Sequence, residues 1–140
     1  MKRYLLLVLI SFLALIVSAQ NNMGKISNID RELLSRICHI IYLPEGTHKI
    51  YNGEGKSVFD VLYTIEVSKT KWTVYKGGTK SVFDIIYTIE HSGEVYKIYK
   101  GNSNSVFNII YTIKETKKGF DIYKENSTAS YNLLYSYERD

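Results

Sequence analysis

One ten-residue segment recurs at a fixed interval of 24 residues. Residues 57–66 read SVFDVLYTIE, residues 81–90 read SVFDIIYTIE, and residues 105–114 read SVFNIIYTIK; residues 129–138 keep the pattern as ASYNLLYSYE. A second block precedes each copy at the same interval: HKIYNG at 48–53, WTVYKG at 72–77, YKIYKG at 96–101 and FDIYKE at 120–125. No gap is needed to align them. Such strict spacing means that each unit does the same structural job against its neighbours.

Each unit reads as two strands. In the longer one Phe83, Ile85, Tyr87 and Ile89 alternate with Val82, Asp84, Ile86 and Thr88. Alternation places the two sets on opposite faces, and Val, Ile, Thr, Phe and Tyr are strand formers. The shorter strand sets Trp72 and Val74 against Thr73 and Tyr75. A Gly-rich linker such as Gly77-Gly78-Thr79-Lys80 joins short to long, and Ser92-Gly93 marks the turn back. The face bearing Phe59, Val61, Tyr63 and Ile65, with its copies, is almost wholly apolar and is expected to be buried.

The expected fold is all-β: an antiparallel β-meander of four 24-residue two-strand repeats, at about 48–66, 72–90, 96–114 and 120–138. An N-terminal capping strand at 36–43 would make nine strands, because Ile37-Cys38-His39-Ile40-Ile41 lies 24 residues before Val61-Leu62-Tyr63-Thr64-Ile65. The same stretch also reads as an amphipathic helix from about Ile29, with Leu33, Leu34, Ile37 and Ile41 on one stripe. A single flat sheet would leave the apolar face in water, so the sheet should curl and become barrel-like; a β-solenoid is the alternative.

Upstream of the repeats, Lys2 and Arg3 precede an apolar run from Leu5 to Val17, and Val17-Ser18-Ala19 offers small residues at a cleavage site. This is the pattern of a secretory signal peptide, and the run is too short to span a bilayer. The expected division is a signal peptide at 1–19, a lead segment at 20–35 that can form a short helix, and the β-repeat domain at 36–140. The product would be secreted or periplasmic, touching a membrane only through the signal peptide before cleavage. Cleavage after Ala19 leaves sixteen basic residues against fourteen acidic, a balance of +2. A near-neutral exported chain is a poor partner for nucleic acid. Lone Cys38 cannot form an intramolecular disulfide and is expected to pack as a small hydrophobe.

Three ladders run along the second face: Tyr51, Tyr75, Tyr99 and Tyr123; Asp60, Asp84, Asn108 and Asn132; and Thr64, Thr88, Thr112 and Ser136. The Tyr and Asp/Asn ladders are the candidate binding surface, since aromatic faces stack on sugar rings and amides or carboxylates bond hydroxyls. The bland reading is that Tyr packs on half-buried sheets and bonds a neighbouring polar group. Catalysis is not expected, because no nucleophile, base and stabiliser converge. His39, His48 and His91 lack ligand spacing, so neither metal nor cofactor is expected. The segment from Val82 to Ile89 has strong β propensity and one charge, which is also a hallmark of self-assembling strands.

Ile98-Tyr99-Lys100-Gly101-Asn102-Ser103 and Asp84-Ile85-Ile86-Tyr87-Thr88-Ile89 resemble tandem repeats of small uncharacterised bacterial secreted proteins, and the resemblance covers residues 48–137. It implies a repeat architecture and no particular activity. The expected role is thus an exported, non-catalytic surface or periplasmic binding module. The alternatives are a self-assembling extracellular fibre or matrix protein and a glycan-binding module using the Tyr and Asp/Asn ladder.

Overall fold

The computed structural model describes residue 34 and residues 36–138. The expected signal peptide and nearly all of the 20–35 lead segment lie outside the described residues. Eight strands form one antiparallel sheet in sequence order: β1 (Gly46–Tyr51), β2 (Val61–Val67), β3 (Lys71–Lys76), β4 (Ile85–Ser92), β5 (Val95–Lys100), β6 (Ile109–Glu115), β7 (Gly119–Lys124) and β8 (Leu133–Glu138). This is the expected meander of four two-strand units. It is one sheet and not a solenoid, and β1 and β8 are not neighbours in the strand order, so the barrel is not closed.

The ninth strand is absent from the described residues: residues 36–40 are helical. The helical stripe, not the 24-residue register, governs this stretch. Leu34, Ile37, Cys38, Ile40 and Ile41 are all buried, and they join the inner residues of the sheet in one core. A helix satisfies its own backbone polar groups, so it can lie against the apolar inside of the sheet without pairing to an edge. It reaches strands far apart in sequence. Arg36 donates to the Tyr63 hydroxyl of β2, and the Tyr42 ring meets Phe120 of β7 edge-on at 5.8 Å. The sheet therefore curls around the helical segment.

The second correction concerns the long strand. Val58–Asp60, Val82–Asp84, Val106–Asn108 and Ser130–Asn132 are single turns of 3-10 helix that precede the strands. Ser57, Ser81 and Ser105 cap three of them, accepting a bond from the backbone N–H two residues on. Phe59, Phe83, Phe107 and Tyr131 ride on these turns and are 93%, 95%, 94% and 86% exposed, not buried as the alternation predicts.

A bulge then resets the faces. Tyr75 opposes Ile85 while Val74 opposes Tyr87, leaving Ile86 as the extra residue; the same shift recurs in all four units. Directly opposed residues share a face. Ile85 therefore joins Tyr75 and Thr88 on the outer face, and Ile86 packs with Tyr87 against the core. Beyond the bulge the alternation holds. Ile65, Ile89 and Ile113 are at most 1% exposed, and Val74, Ile98 and Ile122 face them from the short strands.

Candidate functional site

The Tyr ladder lies on the outer face of the sheet, yet Tyr75, Tyr99 and Tyr123 are buried there; Tyr51, at the first unit, is half-buried. The linker after each short strand folds back across this face. Gly77 N–H donates to the Leu62 carbonyl, and Thr64 Oγ1 donates to the Gly77 carbonyl at 2.8 Å. Thr88 makes the same bond to Gly101 at 2.9 Å and Thr112 to Glu125 at 2.7 Å. Thr64, Thr88 and Thr112 are thus the pins of these three linkers, while Ser136, the last of the ladder, donates to Asp121 Oδ1 at 2.6 Å. Gly77 and Gly101 adopt φ of 72° and 67° to make the turn, and Glu125 takes the equivalent place at φ 58°.

The hydroxyls of Tyr75, Tyr99 and Tyr123 are each matched to a carboxylate. Tyr75 donates to Glu66 at 3.2 Å, and Tyr99 bonds Glu90, the equivalent residue one unit later. The next equivalent position is Lys114, and Tyr123 turns to Asp121 at 3.4 Å. Burial raises the pKa of all three hydroxyls, and the adjacent carboxylate raises it further.

The Asp/Asn ladder closes the 3-10 turns. Thr79 Oγ1 donates to Asp84 and Asn108 Nδ2 donates to Ser103 Oγ at 2.8 Å. At the equivalent place in the first unit, a Cβ on Gly55 would lie 2.8 Å from the Asp60 carboxylate. Asn132 ends the fourth turn, with its N–H donating to the Ala129 carbonyl. The Tyr hydroxyls are thus bonded to carboxylates of the strands, and Asp84 and Asn108 to side chains of the linkers.

Two features escaped the alternation argument. One is the row of Phe59, Phe83, Phe107 and Tyr131, each at the tip of a linker at the same end of the sheet. Val58, Val82 and Val106 beside them are 69%, 60% and 51% exposed. Neighbouring tips are two strand spacings apart, roughly 9.6 Å. Exposed Lys56, Lys76, Lys80, Lys100 and Lys124 stand in the same linkers or at their roots, among Glu54, Asp60, Asp84 and Glu125. The capping Ser two residues before each Phe was the available signal, since Ser-x-Phe after a Gly linker starts a turn as readily as a strand.

The other feature is a pocket of about 350 Å³ between the helical segment and β1–β4. Ile40, Ile50, Leu62, Val74 and Ile86 supply apolar wall, and Arg36, His39, Tyr63 and Tyr87 supply polar groups. Arg36 lies 5.0 Å over the Tyr63 ring as well as bonding its hydroxyl. Burial raises the Tyr87 pKa and lowers that of His39. Cys38 is buried, and desolvation pushes its thiol pKa far up, which leaves it an inert packing group. His91 stacks on Tyr96 at 4.1 Å and lies near Trp72, so it belongs to an aromatic cluster at the far end of the sheet. Among the described residues no group of His, Cys, Asp and Glu is placed to hold a metal ion.

Comparison with known proteins adds an architecture. The family described as 6-fold beta flower protein matches residues 47–140. Among curated proteins none matches. A solved X-ray structure of a protein from Arabidopsis thaliana is similar at 17% identity and a TM-score of 0.44, covering 63% of this chain and 50% of that one. The chain thus spans about half the length of that solved protein.

Proposed function

The chain belongs to the 6-fold beta flower proteins, and on that premise we propose that it is an exported, non-catalytic binding module that settles on a lipid surface by its linker tips. The observation that carries this reading is the exposure of Phe59, Phe83, Phe107 and Tyr131, at 86–95%, on one rim of the sheet. Rings exposed to that degree stand apart as separate prongs rather than packing into a patch. A bilayer interface takes up such prongs without a complementary pocket, and aromatic side chains favour that depth. Removing one large apolar side chain from water is worth roughly 1.5–3 kcal/mol, so several prongs acting together suffice for reversible attachment after the cost of association. The Lys side chains of the same linkers can lay their stems on the apolar tips and hold their ammonium groups among phosphates.

The test is co-sedimentation of the purified protein with phosphatidylcholine vesicles, with and without an anionic lipid. The variant F59S/F83S/F107S should bind at least tenfold more weakly while melting at the wild-type temperature. Undiminished sedimentation of that variant would sink the proposal, as would retention on an insoluble glycan with no affinity for vesicles.

A second reading, self-assembly, is favoured by the two free ends of the strand order. Among the described residues β1 and β8 each have a single neighbour in the sheet, and such edges are templates for pairing with another chain. Light-scattering mass of the purified protein over a week separates the two readings. A constant monomer mass eliminates assembly, and growth that persists in the Phe variant assigns it to the edges.

A further inference from the structure

We propose that the pocket between the helical segment and β1–β4 binds one neutral aliphatic alcohol, its chain on the apolar wall and its hydroxyl at His39. The volume, about 350 Å³, falls in the range of small-molecule sites and well above the space of a few waters. Ile40, Ile50, Leu62, Val74 and Ile86 supply the wall. Water beside them finds few partners, whereas a hydrocarbon chain gains by leaving water for such a surface.

The polar lining sets the charge of the ligand. The Arg36 guanidinium is already engaged: it donates to the Tyr63 hydroxyl, lies over the Tyr63 ring and has a further partner. A carboxylate entering beside it must displace those contacts or give up its hydration unpaired. No Asp or Glu lines the pocket, so an ammonium would have no counter-charge. Burial lowers the His39 pKa and raises that of Tyr87, so both side chains stay uncharged at neutral pH. A neutral ligand enters without stranding a charge.

His39 sets the head group. Its Nδ1 is buried and has no hydrogen-bond partner, and the residue lines this same pocket. A buried polar atom left unpaired is costly, and a ligand oxygen within reach would recover that cost. The nitrogen of a neutral imidazole is an acceptor in one tautomer and a donor in the other. A hydroxyl answers either, donating to the bare nitrogen or accepting from its N–H; an alkane of the same length answers neither.

The pocket includes Leu62 and Ile86, the residues released to the inner side by the bulge. These sit directly after the 3-10 turns that carry Phe59 and Phe83. The site is thus next to the rim but built from different side chains, and it stands or falls separately from the rim.

The experiment is isothermal titration of the purified protein with three probes of one chain length: octanol, octanoate and octyltrimethylammonium. Octanol should bind saturably at one per chain, at least tenfold more tightly than either ion. H39L should weaken octanol binding about fivefold and melt no lower than the wild type, since it leaves no polar atom stranded. A second readout needs no substitution: octanol should move the imidazole nitrogen resonances of His39 and leave in place those of His91, which stacks on Tyr96 at the far end of the sheet. Because Leu62 is 42% exposed, L62W should fold normally and close the space, abolishing octanol binding. F59S/F83S/F107S should bind octanol as the wild type does. No saturable octanol binding to the wild type, octanoate binding as tight as that of octanol, or unmoved His39 resonances at saturation would overturn the assignment.

Discussion

Phe83 and Ile89 belong to the same ten-residue motif, six positions apart, and an unbroken strand would put them on one face. The first is 95% exposed and the second is 0% exposed. Both recur in the units on either side, as Phe59 and Phe107 and as Ile65 and Ile113. The difference teaches that a repeat preserves whatever its unit needs, whether burial or display. The strand half of each unit is specified by packing. The turn half is specified by backbone: a Ser cap, a Thr pin, a left-handed linker residue and a bulge.

The largest test of that contrast is a pair of truncations. I89A removes a fully buried side chain and should cost about 2–5 kcal/mol in urea unfolding. F83A removes a larger side chain and should change stability by no more than about 0.5 kcal/mol. Equal effects would mean that the Phe tips are packed in solution and that the two halves do not differ.

Gly119 asks whether the strand half is tight at its edge as well as its centre. A Cβ there would lie 1.9 Å from the Tyr137 carbonyl oxygen of the paired strand. G119A should therefore destabilise by roughly 1–3 kcal/mol, since β7 and β8 must separate to admit the methyl group. A wild-type melting temperature would show that the β7–β8 pair is loose.

The smallest effect probes the turn half. Glu125 is the non-Gly residue with positive φ among the described residues, at 58°, where the preceding units have Gly77 and Gly101. E125G should stabilise by about 0.5–1 kcal/mol, because the left-handed conformation costs a side-chain-bearing residue more than Gly loses in entropy. A loss of stability would mean that the Glu125 side chain, which lies 4.0 Å from Lys124 Nζ, does more than occupy the turn.

The fold was legible wherever periodicity alone decided it. The meander, the two-strand unit and the interval of 24 residues follow from alternation and Gly linkers. Two features were not legible, for different reasons. The segment Ile37-Cys38-His39-Ile40-Ile41 fits both a strand register and a helical stripe, and only the company of Leu34 and the concave core selects the helix. The Phe positions were misplaced because one extra residue at each bulge shifts the phase of everything before it. A period-two argument has no term for that shift. As for the candidate site, Tyr75, Tyr99 and Tyr123 were singled out as a set, and they form one in the structure. Whether they faced water depended on how far a linker folds back, which the pattern of Gly and Thr encodes only through three-dimensional hydrogen bonds. The pocket had no local signature, since it joins a helix at 36–40 to strands up to 50 residues away.

The uniform pairing of each strand with only its sequence neighbours has a genetic consequence. Where segments as alike as SVFDVLYTIE and SVFDIIYTIE are also alike in their codons, they are substrates for unequal recombination. An exchange between them inserts or deletes whole units of 24 residues in frame. Because each unit presents the same edge that it receives, the product can still pair from end to end. The number of Phe tips on the rim thus becomes a heritable count, and a lineage can lengthen or shorten its contact row in single steps without inventing a new residue.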